Sequence, residues 1–168
     1  MKIFLRIAPL ALTFGLILLF SREALLAADP PATIAAIDSA LTDSTELAGN
    51  VVYVDFWASW CVPCRKSFPW LQGLLERYQK EGLRIVAVNL DKDPKAAAKF
   101  LRDMPVTFPI VYDSSGVLAK VYNLEAMPTS FVYDRNGVLR WQHLGFQPTD
   151  TLETEEMLFE LIREKRTK

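Results

Sequence analysis

Residues 54–64 run Val54-Asp55-Phe56-Trp57-Ala58-Ser59-Trp60-Cys61-Val62-Pro63-Cys64. Apart from Asp55, the segment Val51 to Trp57 is β-branched and aromatic, the composition of a buried strand. Beyond a short turn, Cys64 to Lys80 places Phe68, Leu71, Leu75 and Tyr78 on one face, the spacing of an amphipathic helix. Pro69 is expected to kink that helix, and Gly82 to end it. Two intervening residues at a helix start bring Cys61 and Cys64 within bonding reach. They also set Cys61 beside free backbone N–H groups and the positive end of the helix, which favour thiolate over thiol. Because the thiolate is the nucleophile, Cys61 is expected to attack a partner disulfide and Cys64 to resolve the mixed disulfide. Run backwards, the same steps oxidise a dithiol. A purely structural bridge is the plain alternative, but so small a loop removes little entropy from the unfolded chain.

Outward from this segment, strands and helices alternate. Ala32 to Leu41 has a weak helical pattern through Ile34, Ile37 and Leu41, and Leu83 to Leu90 reads as a second buried strand. Asp93-Pro94 opens a helix to about Arg102, Phe108 to Tyr112 is a short strand, and Val117 to Tyr122 a short helix. Thr129 to Tyr133 and Val138 to Gln142 flank Asp134-Arg135-Asn136-Gly137, a hairpin signal. Pro148 introduces a final helix, with Asp150 and Glu153 spaced as a capping box. This order indicates an α/β sandwich with a mixed sheet.

Composition narrows the chemistry. The chain has 168 residues, 51% hydrophobic, with 19 Lys+Arg against 20 Asp+Glu. That size suits one domain. A net charge of −1 argues against nucleic acid as a partner. Two cysteines and one histidine exclude both a multi-disulfide scaffold and a four-ligand Cys/His zinc site. Lys2 and Arg6 precede an apolar run from Ile7 to Phe20, and small residues follow up to Ala28. This is the layout of a secretory signal peptide, or of an N-terminal anchor if it is not cleaved. Residues 1–28 are therefore read as an export segment, 29–46 as an N-terminal helix and linker, and 47–168 as the functional domain.

Taken together, the segment around Cys61 and Cys64 resembles the thioredoxin active-site motif. Trp60 precedes the first cysteine, Asp55 lies on the preceding strand, and Pro69 falls at the family's helix kink. Ala126-Met127-Pro128-Thr129 resembles the cis-proline loop, and Gly145 the glycine beyond the last hairpin strand. Leu47 to Val52, Arg65-Lys66 and Phe68-Pro69 further resemble the exported, membrane-tethered branch called TlpA/ResA/DsbE-like. The resemblance implies a thioredoxin fold, a central mixed sheet flanked by helices. A helix–strand insert before the cis-proline half is expected within Asp93 to Tyr112. Two features depart from the pattern. Pro30 to Leu47 reads as helix and loop where the branch has an extended hairpin, and Asp55 stands where the branch often has Asn; thioredoxin proper has the Asp, with a lysine beside it on the next strand where this chain has Ala87.

Supporting residues follow from these readings. Asp55 sits between Val54 and Phe56 in an apolar strand, so burial should raise its pKa and fit it to exchange a proton with Cys64. By resemblance, a cis bond before Pro128 exposes the Met127 main chain to an extended substrate segment, which could add as a strand. Trp60, Val62, Pro63 and Met127 are expected to line the substrate side of Cys61. Trp57 is read as core or active-site support, Trp70 and Trp141 as packing residues, and His143 as structural or exposed.

The expected function is an exported thiol–disulfide oxidoreductase. By resemblance it works in the reducing direction, on cytochrome c or copper-site maturation targets or other exported proteins. Electrons would come from a membrane-embedded donor, with a possible inner-membrane tether, and no cofactor or metal beyond the dithiol is invoked. Two alternatives stand beside it. One is a dithiol oxidase or isomerase. The other is a copper carrier using Cys61, Cys64 and His143 or Met127, since soft sulfur suits Cu(I).

Overall fold

All seven residues of strand β1 (Val51–Trp57) are buried, because both faces of the sheet are covered by helices. A computed structural model describes residues 34–41 and 47–165. The proposed export segment and most of the linker lie outside the described residues. Among those described, no helix is long and apolar enough to cross a membrane.

The elements after β1 are α2 (Val62–Tyr78), β2 (Leu83–Asn89), α3 (Pro94–Asp103), β3 (Ile110–Tyr112), α4 (Val117–Val121), β4 (Thr129–Tyr133), β5 (Leu139–Leu144) and α5 (Thr151–Arg163). A single turn, α1 (Ala35–Asp38), precedes β1. The five-stranded sheet has the order β3-β2-β1-β4-β5. β1 pairs in parallel with β2, and β2 with β3, while β4 runs antiparallel to both β1 and β5. The expected α/β fold with a mixed sheet is therefore present. The helix–strand pair α3–β3 falls where the insert was expected and supplies the edge strand.

Alternation along β1 divides the core. Tyr53 and Trp57 point into the layer built by α2, α3 and α5, with Phe68, Leu71, Leu74, Phe100, Leu158 and Leu161. Val52, Val54 and Phe56 point the other way, toward Ile37 of α1 and Tyr122 beyond α4. Aromatic rings dominate beneath the dithiol. Trp57 lies 4.7 Å from Phe68 and 4.6 Å from Phe100, and those two rings are 5.0 Å apart. Such pairs contribute about 0.5–1.5 kcal/mol each beyond their buried area, so the floor of the site is stiff.

Several elements differ from the sequence reading for local reasons. The helix starts at Val62, two residues early, because Cys61 caps it and Pro63 suits its first turn. It continues through Pro69 as one helix and tightens to a 3₁₀ turn over Gln79–Glu81, closed by Gly82 at φ 99°. The expected Ala32–Leu41 helix is described only as the α1 turn, anchored by Ile34 N–H to the Gly137 carbonyl at 3.1 Å. The final cap is shifted by one turn. Gln147 and Asp150 form the capping box of a 3₁₀ turn over Pro148–Asp150, and Asp150 makes no side-chain cap to α5. Pro148 decides this frame, since a residue without N–H belongs in a first turn.

Candidate active site

β1 runs directly into the turn Ala58-Ser59-Trp60, and Cys61 then becomes the N-cap of α2. Its N–H donates to the Ala58 carbonyl at 3.1 Å, and its Sγ accepts the Cys64 N–H at 3.2 Å. Cys61 and Cys64 are joined as a disulfide with Cα atoms 5.3 Å apart. Cys64 is fully buried, whereas Cys61 keeps a sliver of surface between Trp60 and Val62, which are 68% and 66% exposed. Of the two cysteines, only Cys61 offers any surface to a partner. No acidic residue occupies the first turn of α2 to offset its positive end. On reduction, that end and the Cys64 N–H both stabilise a thiolate on Cys61.

Behind the pair, Asp55 points to the same side of β1 as Tyr53 and Trp57, the side covered by α2. It is 1% exposed. The Ser130 hydroxyl donates to Oδ1 at 2.8 Å, and Oδ2 has no hydrogen-bond partner among the described residues. Register places Ala87 of β2 and Ser130 of β4 on either side of Asp55, so neither neighbouring strand supplies a cation. Burial pushes its carboxyl up to about 7, and the Ser130 bond offsets this only in part. Burial and the nearby carboxylate also hold the Tyr53 hydroxyl well above its usual range, so it stays neutral. A carboxyl poised near neutrality can take a proton at one step and return it at another.

The Met127–Pro128 peptide is cis, and Pro128 is buried. Its carbonyl accepts the Gly145 N–H at 2.7 Å, and the Thr129 hydroxyl donates to the Ala126 carbonyl at 2.8 Å. Within the described residues, no main-chain hydrogen bond uses the Met127 N–H or C=O. Met127 packs against the cluster that holds both cysteines. With Trp60 it lines a groove of about 410 Å³ completed by Leu90, Ala119, Leu124, Glu125 and Ala126. Val62 and Pro63 are not part of that groove. His143 hydrogen-bonds Asp150 at 3.1 Å and stacks on Trp141. Among the described residues, no group of three or more His, Cys, Asp or Glu side chains could hold a metal ion.

A second buried carboxylate was not anticipated. Asp91, just past β2, accepts the Ser59 N–H and the Ser59 hydroxyl, both at 2.9 Å, and the Asn89 amide at 2.8 Å. The Arg65 guanidinium, 4.8 Å over the Phe100 ring, donates to the Ser59 carbonyl at 3.0 Å. Every polar group of Ser59 is thus engaged, two residues before Cys61. The turn is held by its surroundings as well as by the disulfide. Ser130 and Asp91 carried one faint signal in the sequence, as polar residues in or beside apolar strands.

Comparison with known proteins agrees with this geometry. The Redoxin family model matches residues 27–158. The chain is 32% identical over 117 residues to "Thiol-disulfide oxidoreductase ResA" of Oceanobacillus iheyensis, covering 70% of this chain and 61% of that relative. It therefore spans about three fifths of the length of the curated relatives it matches. Among solved structures, it resembles a Chlorobium tepidum protein assigned as a thiol:disulfide interchange protein DsbE. That likeness has 43% identity and a TM-score of 0.68, covering 70% of this chain and 84% of the other. StoA from Bacillus subtilis follows at 30% identity and a TM-score of 0.56, covering 65% and 84%. With its five-stranded mixed sheet, its Cys61–Cys64 pair at a helix start and its cis-proline loop, the chain belongs to the Redoxin family and has the thioredoxin-like fold.

Proposed function

We propose that this protein is an exported thiol–disulfide oxidoreductase that reduces disulfides in other exported proteins. The observation that carries the reading is the asymmetry of the pair. Cys61 keeps a sliver of surface at a helix N-terminus, and Cys64 is fully buried on the side of β1 where a carboxyl with one hydrogen bond and no cation beside it titrates near neutrality.

In the reduced protein, the Cys61 thiolate attacks a partner disulfide. The partner's S–S bond breaks, a mixed disulfide forms, and the first partner sulfur leaves as a thiolate that takes a proton from solvent. Asp55 then accepts the Cys64 proton as Cys64 attacks the Cys61 sulfur. The second partner sulfur leaves as a thiolate that takes a proton from solvent, and Cys61–Cys64 closes as the disulfide found here. Two electrons pass to the partner, and the dithiol itself is the redox group. A partner segment can lie extended against the unused Met127 main chain, with Trp60 and Met127 as an apolar rim and Val62 and Pro63 flanking the sulfur.

The names of the ResA and DsbE relatives support the activity, and the charged and apolar layout of residues 1–28 supports export. An oxidising compartment requires an electron source for a reductase, so a membrane-embedded donor completes the cycle. Targets of cytochrome c or copper-site maturation fit the branch resemblance. Equilibration with glutathione buffers tests the direction. A reductase reduces a disulfide peptide stoichiometrically and ends oxidised. A protein that stays reduced in such buffers, and whose Cys61–Cys64 disulfide, once formed, oxidises a dithiol peptide and is itself reduced, would instead be an oxidase.

A further inference from the structure

The groove beside the dithiol is apolar along most of its length and carries one formal charge. Leu90, Ala119, Leu124 and Ala126 supply its apolar surface, and Glu125 is its single ionisable residue. Glu125 is exposed and makes no ion pair among the described residues. Two cations sit close in sequence to groove residues without lining it. Lys92 donates to the Ser114 carbonyl at 2.9 Å, and Lys120 follows Ala119 on α4. Trp60 and Met127 join this groove to Cys61 and to the Met127 main chain, where a substrate segment would lie.

An apolar surface with one unpaired carboxylate matches one class of side chain. Lys and Arg lay a methylene stem along apolar atoms and keep their charge in water at the far end. An acidic side chain would meet apolar surface and a like charge together. We propose that Glu125 makes the groove selective for segments carrying Lys or Arg beside the cysteine under attack. The inference rests on the oxidoreductase reading and names the substrate class of that same site.

Three disulfide-closed peptides, identical except for Lys, Gln or Glu flanking the reactive cysteine, provide the test. Reduced protein is assayed for kcat/KM at low ionic strength and again in about 0.5 M salt, where screening shortens to a few Å. The expected preference for the Lys over the Glu peptide is about fivefold, the scale of an exposed charge pair. It should shrink toward unity in high salt, vanish in Glu125→Gln and reverse in Glu125→Lys. Because Glu125 is exposed, both variants should unfold thermally like the parent. A wild-type preference below twofold, or one that survives unchanged in Glu125→Gln, overturns the proposal. Failure to reduce any of the three peptides overturns the oxidoreductase reading, and the charge preference with it.

Discussion

Replacing Asp55 with Asn isolates what a buried carboxyl group does to this fold. Asn has the same shape and stays neutral at every pH, as the protonated acid is. The wild-type carboxyl rises from an ordinary 3.8 to about 7 in the folded protein, because burial removes water and Ser130 restores only one hydrogen bond. The folded state therefore binds this proton more tightly than the unfolded chain does. The resulting stabilisation is fully present below about pH 4, is lost as the pH climbs through about 7, and is constant above that. Each tenfold change in proton affinity is worth about 1.4 kcal/mol, so the complete loss is about 4 kcal/mol. Asp55→Asn has no such loss. Urea unfolding of both proteins from pH 4 to 8.5, disulfide intact, reads it directly. Other titrating groups cancel in the difference, and any fixed cost of the buried amide is independent of pH. That difference should move by about 4 kcal/mol in favour of the variant between pH 4 and pH 8. At pH 8 the same variant should resolve a mixed disulfide about 100-fold more slowly, the usual scale of a lost general base. Gained stability with lost activity separates a chemical role from a folding defect. Unfolding curves that stay parallel across the range would refute the claim that burial holds Asp55 protonated.

Two further substitutions probe the neighbours. Ser130→Ala removes the one hydrogen bond that favours the Asp55 carboxylate, so the pH at which stability drains away should move above that of the parent; an unmoved inflection in the same titration contradicts it. Asp91→Ala leaves Ser59 N–H, its hydroxyl and the Asn89 amide without their acceptor, and should cost about 3 kcal/mol by chemical denaturation; a loss under about 1 kcal/mol would show that the clamp on the turn is weak.

Legibility in the sequence followed the distance over which each feature is decided. β1 was readable to its end residues, Val51 and Trp57, because a run of β-branched and aromatic residues, interrupted only by Asp55, is a local signal. The cysteine pair was readable for the same reason, since a cap and a helix start occupy adjacent residues. Ser130, 75 residues from Asp55, and Asp91, 32 residues from Ser59, become partners only when strand register brings them together. The groove is likewise tertiary. Leu90 follows the end of β2, Ala119 lies on α4, and neither carries a motif. Local rules also failed where two frames competed. Asp150–Glu153 and Gln147–Asp150 both have capping-box spacing, and only the position of Pro148 separates them.

The division of labour between the two sulfurs is tested most directly by Cys64→Ser. Reduced variant is mixed with a protein or peptide disulfide, quenched with acid and examined by mass spectrometry without reductant. Cys61 should form a mixed disulfide that accumulates to about one equivalent, because the resolving sulfur is gone. Cys61→Ser should form none, since the remaining sulfur is buried. Turnover of Cys64→Ser at the wild-type rate, or an adduct on Cys61→Ser, would contradict the assignment of Cys61 as the attacking sulfur and Cys64 as the resolving one.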